Sequence, residues 1–586
     1  MINAEKLTFG FNDSLLFQDI SFTLEENCHC ALIGSNGSGK TTLTNLIQDP
    51  ANYIFEGKLN TDGAGRIGYV SQFAVRDGDQ SVTVYDYLCQ DFLALEHTIN
   101  EVCLQMESAE DLDAVMERYQ NLLDESAAID ADNYEVNIHR QLKLTELENK
   151  ASLELGSLSG GELKLVQIMR QMLRCPGLLI MDEPDVFLDF ENLNGLRDLI
   201  NAYKGTLLVV THSRYLLAHC FDRIWHLENR DLQEFEGNFT EYNYSLLQKK
   251  IDLQLAAQAD EQEIQRVSEL VDRLREIATE VSESHYGRTL KGKTTYLRRL
   301  LNRQIKAPFV KIRQPNICLP EVERSEETIE LLRLDHYSLS FEETLLEQVS
   351  FAVHSGEKVA LVGANGTGKT SMLREIWKNR HPSIRFSETA SPAFFSQLHA
   401  EILDEKNTIY DEFFEIGFEN CQQVEEHLQK YCFDPDSLSR KVGCLSGGEK
   451  NLLQLAKLAV GHANLLLLDE PSSHLDTFAQ IALENAIKAY RGAVLMVSHD
   501  FYTIVNCADT ILFVENSSIR PMSARAFRKM IYKNHFSKDY LELELQKKEL
   551  ETRITHSLER GNCTEAQELC NKLAMIVEQM QDALKG

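Results

Sequence analysis

Two runs in this chain carry the residue types that hold phosphate: GSNGSGKT (Gly34 to Thr41) and GANGTGKT (Gly363 to Thr370). Each follows an apolar run, CALIG or VALVG, so each stands where a strand gives way to a helix. Glycine lets the backbone approach an anion closely, and N–H groups at a helix start point at it. The first loop spans Gly34, Ser35, Asn36, Gly37, Ser38, Gly39, Lys40, Thr41 and Thr42. The second spans Gly363, Ala364, Asn365, Gly366, Thr367, Gly368, Lys369, Thr370 and Ser371. Lys40 and Lys369 would reach the outer phosphate oxygens, and the Thr41 and Thr370 hydroxyls would face Mg²⁺. Further along, LLIMDEP (Leu178 to Pro184) and LLLLDEP (Leu465 to Pro471) each end an apolar strand on an acid pair. Asp182 and Asp469 are placed to hold the metal, and Glu183 and Glu470 to polarise an attacking water.

These pairs belong to an internal repeat, the main organising feature of the chain. LSGGE recurs at Leu158 to Glu162 and Leu445 to Glu449, and VVTHS with His212 recurs as MVSHD with His499. The separation between copies falls from 325 residues at Gln72/Gln397 to 287 at Ser159/Ser446, and stays 287 through Asp182/Asp469 and His212/His499. The first copy therefore holds 38 extra residues between Gln72 and LSGGE. That stretch, with LALEHTINEV and LDAVMERYQNLLDE, reads as an acidic helical subdomain.

The LSGGE run, in this order after the phosphate loop, resembles the signature of ABC ATPases, and the resemblance covers both copies. It implies ATP as the nucleotide and signatures supplied in trans. Ser159, Gly160, Gly161 and Glu162 would close on nucleotide held by copy two. Ser446, Gly447, Gly448 and Glu449 would close on nucleotide held by copy one. Gln72 and Gln397 resemble the family's Q-loop glutamines beside Mg²⁺. His212 and His499 resemble its switch histidines. Phe11 and Phe341 match the position where an aromatic stacks on adenine. Copy one departs from the pattern at DEPDVFLD (Asp182 to Asp189), where copy two has DEPSSHLD, and at Ser213, where copy two has Asp500. The Mg²⁺ ligands, the Glu and the His survive, so both sites are expected to hydrolyse ATP.

The expected fold class is α/β: two phosphate-loop ABC-type ATPase domains (1–244 and 326–520) joined by a long helical hairpin (245–325), with a C-terminal helical extension (521–586). In the linker Ile264, Val267, Val271, Leu274, Ala278 and Val281 step by three and four, an apolar seam on a helix from Tyr244 to Ser284 about 60 Å long. Gly287 and Gly292 break the period, and TTYLRRLLNRQ runs back towards Pro308. Near the C-terminus two helical runs flank Gly561, with Leu543, Leu550, Ile554 and Leu558 facing Leu569, Leu573, Ile576 and Met580. Packing on an ATPase domain is their default reading. Two ATPase units in one chain, the long linker and EFEGNFTEYNYSLLQKK (Glu234 to Lys250) resemble ABC-F proteins. That resemblance implies a cytoplasmic ATPase, monomeric with its two domains pairing intramolecularly. It would bind the ribosome at the E site and reach 23S rRNA and P-site tRNA through the linker. Antibiotic resistance by ribosome protection is the favoured outcome, with a housekeeping translation factor as the alternative. A transporter ATPase with a separate permease is the rival from another class, and a structural-maintenance or DNA-repair ATPase a third.

Charge fits the ribosome reading locally and opposes it globally. The 586 residues hold 59 Lys+Arg and 90 Asp+Glu, a net charge of -31, which disfavours general nucleic-acid binding. Yet from His285 to Pro320 there is no acid, while Arg288, Lys291, Lys293, Arg298, Arg299, Arg303, Lys306, Lys311 and Arg313 are present. Tyr286 and Tyr296 interleave and could stack on bases or riboses. No apolar run approaches the roughly 20 residues of a membrane span, and the N-terminal residues lack the pattern of a signal peptide. The 13 cysteines include no C-x-x-C pair, so buried, reduced thiols are expected.

Overall fold

The computed structural model describes residues 2–11, 14–61, 66–72, 80–106, 111–186, 188–280, 291, 293–297, 315–322, 328–341, 344–532 and 538–585. The chain divides into two compact units, one of Met1–Asn238 with Arg313–Ile531, the other of Phe239–Ile312 with Tyr532–Gly586.

The first unit contains both copies of the repeat. In each, a six-stranded sheet carries the site. Copy one orders its strands Ile67–Val70, Leu178–Asp182, Thr206–Val210, His29–Ile33, Arg223–Glu228 and Asp231–Glu236. Copy two repeats the order with Pro392–Phe395, Leu465–Asp469, Ala493–Val497, Lys358–Gly363, Thr510–Glu515 and Ser518–Ser523. The first five strands are parallel and the last is antiparallel. LLIMD, TLLVV, LLLLD and AVLMV are buried at every position, as strands covered on both faces must be. A three-stranded antiparallel sheet accompanies each; its strand Ile2–Phe11 alternates between core and solvent over much of its length. The extra residues of copy one form the helices Val84–Gln105, Leu112–Ala128 and Tyr134–Leu144. Copy two has only Ile409–Phe414 and Cys421–Gln429 between the corresponding glutamine and signature.

In the second unit one helix runs from Phe239 to Glu280, starting five residues before the seam-based expectation. The turn residues Phe239 and Tyr242 stack and join its first turns. Val267 and Val271 of the apolar seam are buried and Ile264 is half-buried. The side chains of Leu274 and Ala278, and all of Val281, lie outside the described residues. Residues 293–297 are helical, and the Tyr296 hydroxyl donates to Glu263 Oε1 at 2.7 Å, so this segment lies beside the long helix. The helices Lys538–Glu559 and Cys563–Lys585 meet at Gly561, whose φ of 74° ends the first of them. Ile554, Leu558, Leu569 and Leu573 form a core, as their spacing predicts. That core also takes in Tyr244, Leu247 and Ile251 from the start of the long helix. The C-terminal helices thus pack on the base of the linker. Periodicity marks an apolar face, but it does not identify the face that covers it.

No disulfide forms among the 13 cysteines. Seven are buried, whereas Cys103, Cys175, Cys318, Cys421 and Cys444 are exposed, a correction to the expectation of burial. Among the described residues no helix is long and apolar enough to cross a membrane.

Candidate functional site

The parallel strands bring the motifs together at their C-terminal ends, where open α/β sheets bind ligands. His29–Ile33 leads into the first phosphate loop. Its neighbour Thr206–Val210 leads to His212, and the next strand ends on Asp182. Gly39 and Gly368 start the helices Lys40–Gln48 and Lys369–Lys378 at φ of 100° and 86°, a left-handed turn that glycine adopts without strain. Lys40 Nζ donates to Gly34 O and Ser35 O, both at 3.0 Å. Lys369 Nζ donates to Gly363 O and Ala364 O at 2.8 and 2.6 Å. Both ammonium groups are buried, and desolvation holds them below the usual lysine range.

Each acid pair is built for a ligand. The Thr370 hydroxyl donates to Asp469 Oδ1 at 2.8 Å, and Thr41 stands against Asp182 in the same way. Asp182 Oδ1 and Asp469 Oδ2 are buried and accept no hydrogen bond among the described residues. Such orphaned oxygens suit a cation with further oxygen ligands. Among the described residues no group of three or more His, Cys, Asp or Glu is placed to hold a metal ion. Burial raises the pKa of both aspartates.

Glu183 and Glu470 occupy left-handed backbone, with φ of 46° and 52°. For a non-glycine residue that costs roughly 1–3 kcal/mol and persists only where neighbours enforce it. Here Glu183 N donates to Val210 O at 2.8 Å and Glu470 N to Val497 O at 2.9 Å, pinning each turn to the adjacent strand. Burial, then the nearby aspartates, pushes Glu183 up to about 7 and Glu470 up to about 8. Gln72 Nε2 donates to Glu183 Oε2 at 2.6 Å. His499 N donates to Glu470 Oε2 at 3.2 Å, and His499 Nε2 lies 3.6 Å from Glu470 Oε1. Desolvation lowers His499 to about 3 and His212 well below the imidazole range, so both rings are neutral. Both His212 ring nitrogens are buried without a hydrogen bond among the described residues.

The signatures lie across from the opposite phosphate loops. A cavity of about 630 Å³ is lined by Ser159, Gly160 and Gly161 of copy one and by Asn365, Lys369, Thr370, Gln397 and Glu470 of copy two. On the other side, Asn36 Nδ2 donates to His474 O at 2.7 Å. A Cβ on Gly448 would fall 2.6 Å from the same His474 carbonyl oxygen, so only glycine fits. Ser159 and Ser446 each cap a helix in a reciprocal box with Glu162 and Glu449. Phe11 and Phe341 are 53% and 69% exposed, open enough to stack on a base.

Sequence reasoning passed over Asp189 and Asp476. Each caps a helix and also accepts from the opposite loop: Asn365 N to Asp189 Oδ2 at 3.1 Å, Asn36 N to Asp476 Oδ2 at 3.3 Å. Their equal place after DEP in both copies was the available signal. Arg214 was also missed. It pairs with Glu484 and Asp500 of copy two and lies 4.9 Å over the Tyr502 ring.

A family model described as ABC transporter matches residues 17–186 and 346–473, just over half of the chain. The chain belongs to the ABC transporter ATPase family. It is an ATP hydrolase with two tandem ABC domains and a homologue of ABC-F proteins. It is 29% identical to the energy-dependent translational throttle protein EttA of Haemophilus influenzae, over 85% of this chain and 88% of that one. It is 26% identical to ABC transporter F family member 5 of Arabidopsis thaliana, over 88% and 75%. An RNase-L inhibitor structure shares the tandem ABC fold at 19% identity with a TM-score of 0.53, covering 91% of this chain and 92% of that one.

Among the candidate RNA contacts, Lys291, Lys293 and Tyr296 are described, with Lys293 Nζ 5.9 Å from the Tyr296 ring centre. Tyr286, Arg288, Arg298, Arg299, Arg303, Lys306, Lys311 and Arg313 lie outside the described residues.

Proposed function

We propose that this ABC ATPase is a cytoplasmic translation factor that acts on the ribosome. It binds near the E site and reaches 23S rRNA and P-site tRNA with the linker between its ATPase domains. The observation that carries this reading is the likeness, over 85% of the chain, to a relative named a translational throttle protein. A structural neighbour at 19% identity, with a TM-score of 0.52 and covering 91% of this chain and 92% of that one, is an archaeal ribosome recycling factor in complex with a ribosomal stalk protein.

ATP is held by the two phosphate loops, with Phe11 and Phe341 against adenine and the signatures of the opposite copy against the γ-phosphate. Thr41, Gln72 and Asp182 would hold Mg²⁺ in one site and Thr370, Gln397 and Asp469 in the other, where it would neutralise phosphate charge. Glu183 and Glu470 polarise the attacking water, while neutral His212 and His499 contact the γ-phosphate. Hydrolysis opens the paired copies and releases the ribosome.

Ribosome protection against antibiotics is a second reading; the acid-free run from His285 to Pro320 with its nine Lys and Arg supports contact with RNA under both readings. Glu183→Gln with Glu470→Gln is expected to sediment with ribosomes in ATP. Sedimentation free of ribosomes would overturn the ribosomal reading. Expression in a susceptible bacterium against large-subunit antibiotics separates the two outcomes: raised resistance supports protection, and unchanged resistance supports a general translation role.

A further inference from the structure

From the signature onward the copies correspond residue for residue, so each position of one site has a counterpart in the other. Counterparts differ in charge at several places: Arg197 and Glu484, both buried, are one pair, and two more lie beside the first site. Lys164 stands where copy two has Asn451, and Asp185 stands where copy two has Ser472. The phosphate-loop motif accounts for neither.

Lys164 is 2% exposed on the helix Gly160–Leu173. Its ammonium donates to the carbonyls of Ser71 and Gln72, the latter at 2.9 Å, just beyond the strand Ile67–Val70. Gln72 in turn donates to Glu183. Asp185 Oδ1 accepts from the Thr211 hydroxyl at 2.6 Å, next to His212. Burial lowers Lys164 to about 8 and raises Asp185 to about 6, and each is opposed by the other's charge. In copy two the same places are neutral. Asn451 Nδ2 donates to Ser473 O at 2.5 Å, and its Oδ1 lies 2.8 Å from His399 Nε2. The Ser472 and Ser498 hydroxyls are 3.4 Å apart. There Gln454, whose counterpart in copy one is Gln167, bonds both N and O of Ser396.

A lone buried charge costs several kcal/mol, whereas a compensated pair is tolerated. In copy one a base and an acid stand where copy two has two neutral residues. We propose that Lys164 and Asp185 are positioning residues particular to the first ATP site. Lys164 clamps the chain at Ser71 and Gln72 so that Gln72 is aimed at Glu183, and Asp185 balances the clamp. The first site depends on this pair for its rate, and the second does without it.

The test is single-turnover phosphate release from ATP by the full chain carrying Glu470→Gln, which reports the first site. Lys164→Asn and Asp185→Ser should each slow release about tenfold or more, as displaced catalytic groups do, with ATP affinity changed less than about threefold. The double variant, which installs the residues copy two already accommodates, should return to within about threefold of the parent. A merely structural role would give losses that multiply and a fall in affinity. An unchanged rate in the single variants overturns the proposal. So does a double variant as slow as the product of the singles, or a Glu470→Gln chain with no first-site release. If a single variant fails to fold, the folded double variant decides: recovery supports the clamp, and a tenfold loss overturns it.

Discussion

Glu183 and Glu470 show what a single residue's surroundings decide. Both carboxyls sit in the left-handed region and are shifted up by burial, to about 7 and about 8. A raised folded-state pKa stabilises the protein fully below the unfolded value near 4.5, and that stability is lost as pH rises through the folded value. Glu470→Gln should therefore raise the melting temperature of the nucleotide-free protein at pH 9, by an amount equivalent to a few kcal/mol. The gain should shrink to nothing near pH 5, as thermal unfolding at both values would show. The same change should cut ATP hydrolysis at the second site about 10²-fold or more, because an amide cannot accept the proton from water.

Helices and the loops before them carry the coupling between copies. Asp189 and Asp476 each cap a helix, at roughly 1 kcal/mol, and also hold the opposite phosphate loop by a backbone N–H. Asp476→Ala should cost about that much stability and also weaken ATP binding at the first site, measured by titration with a fluorescent nucleotide. Asp476→Asn, which keeps an accepting oxygen for the cap, should recover most of the stability. Arg214 joins the short helix Arg214–His219 to Glu484 and Asp500 in a largely buried triad. Removing one partner strands the others, so Arg214→Ala should destabilise by about 3–5 kcal/mol in denaturant unfolding. The mirror contact is missing, because Ser213 and Phe501 stand where its acid and base would be. The copies are thus joined unsymmetrically beside their two histidines.

At the scale of the whole molecule, charge is divided. The chain is strongly acidic, while the run from His285 to Pro320 is purely basic. If the ribosome reading holds, reversing Arg298, Arg299 and Arg303 to Glu should abolish ribosome co-sedimentation and leave ATP hydrolysis in isolation intact. Binding by the parent should weaken with salt by about 0.7–0.9 log units per log unit for each phosphate contacted. Loss of hydrolysis together with binding would instead mark these arginines as part of the ATPase.

Short motifs were legible in the sequence because their chemistry is local. A glycine loop that must approach phosphate, a strand ending on Asp-Glu and a Ser-capped signature helix each need fixed residues within one turn of chain. The repeat then identified two α/β ATPase domains, and three- and four-residue periods found the linker and C-terminal helices. Tertiary structure decided what depends on partners distant in sequence. It set Asn36 against Gly448, and Asp189 against Asn365. It placed the C-terminal helices on the base of the linker helix, and Lys164 beneath the carbonyls of Ser71 and Gln72. A residue's type limits which bonds it can make, but burial and the element packed against it select the bond that forms.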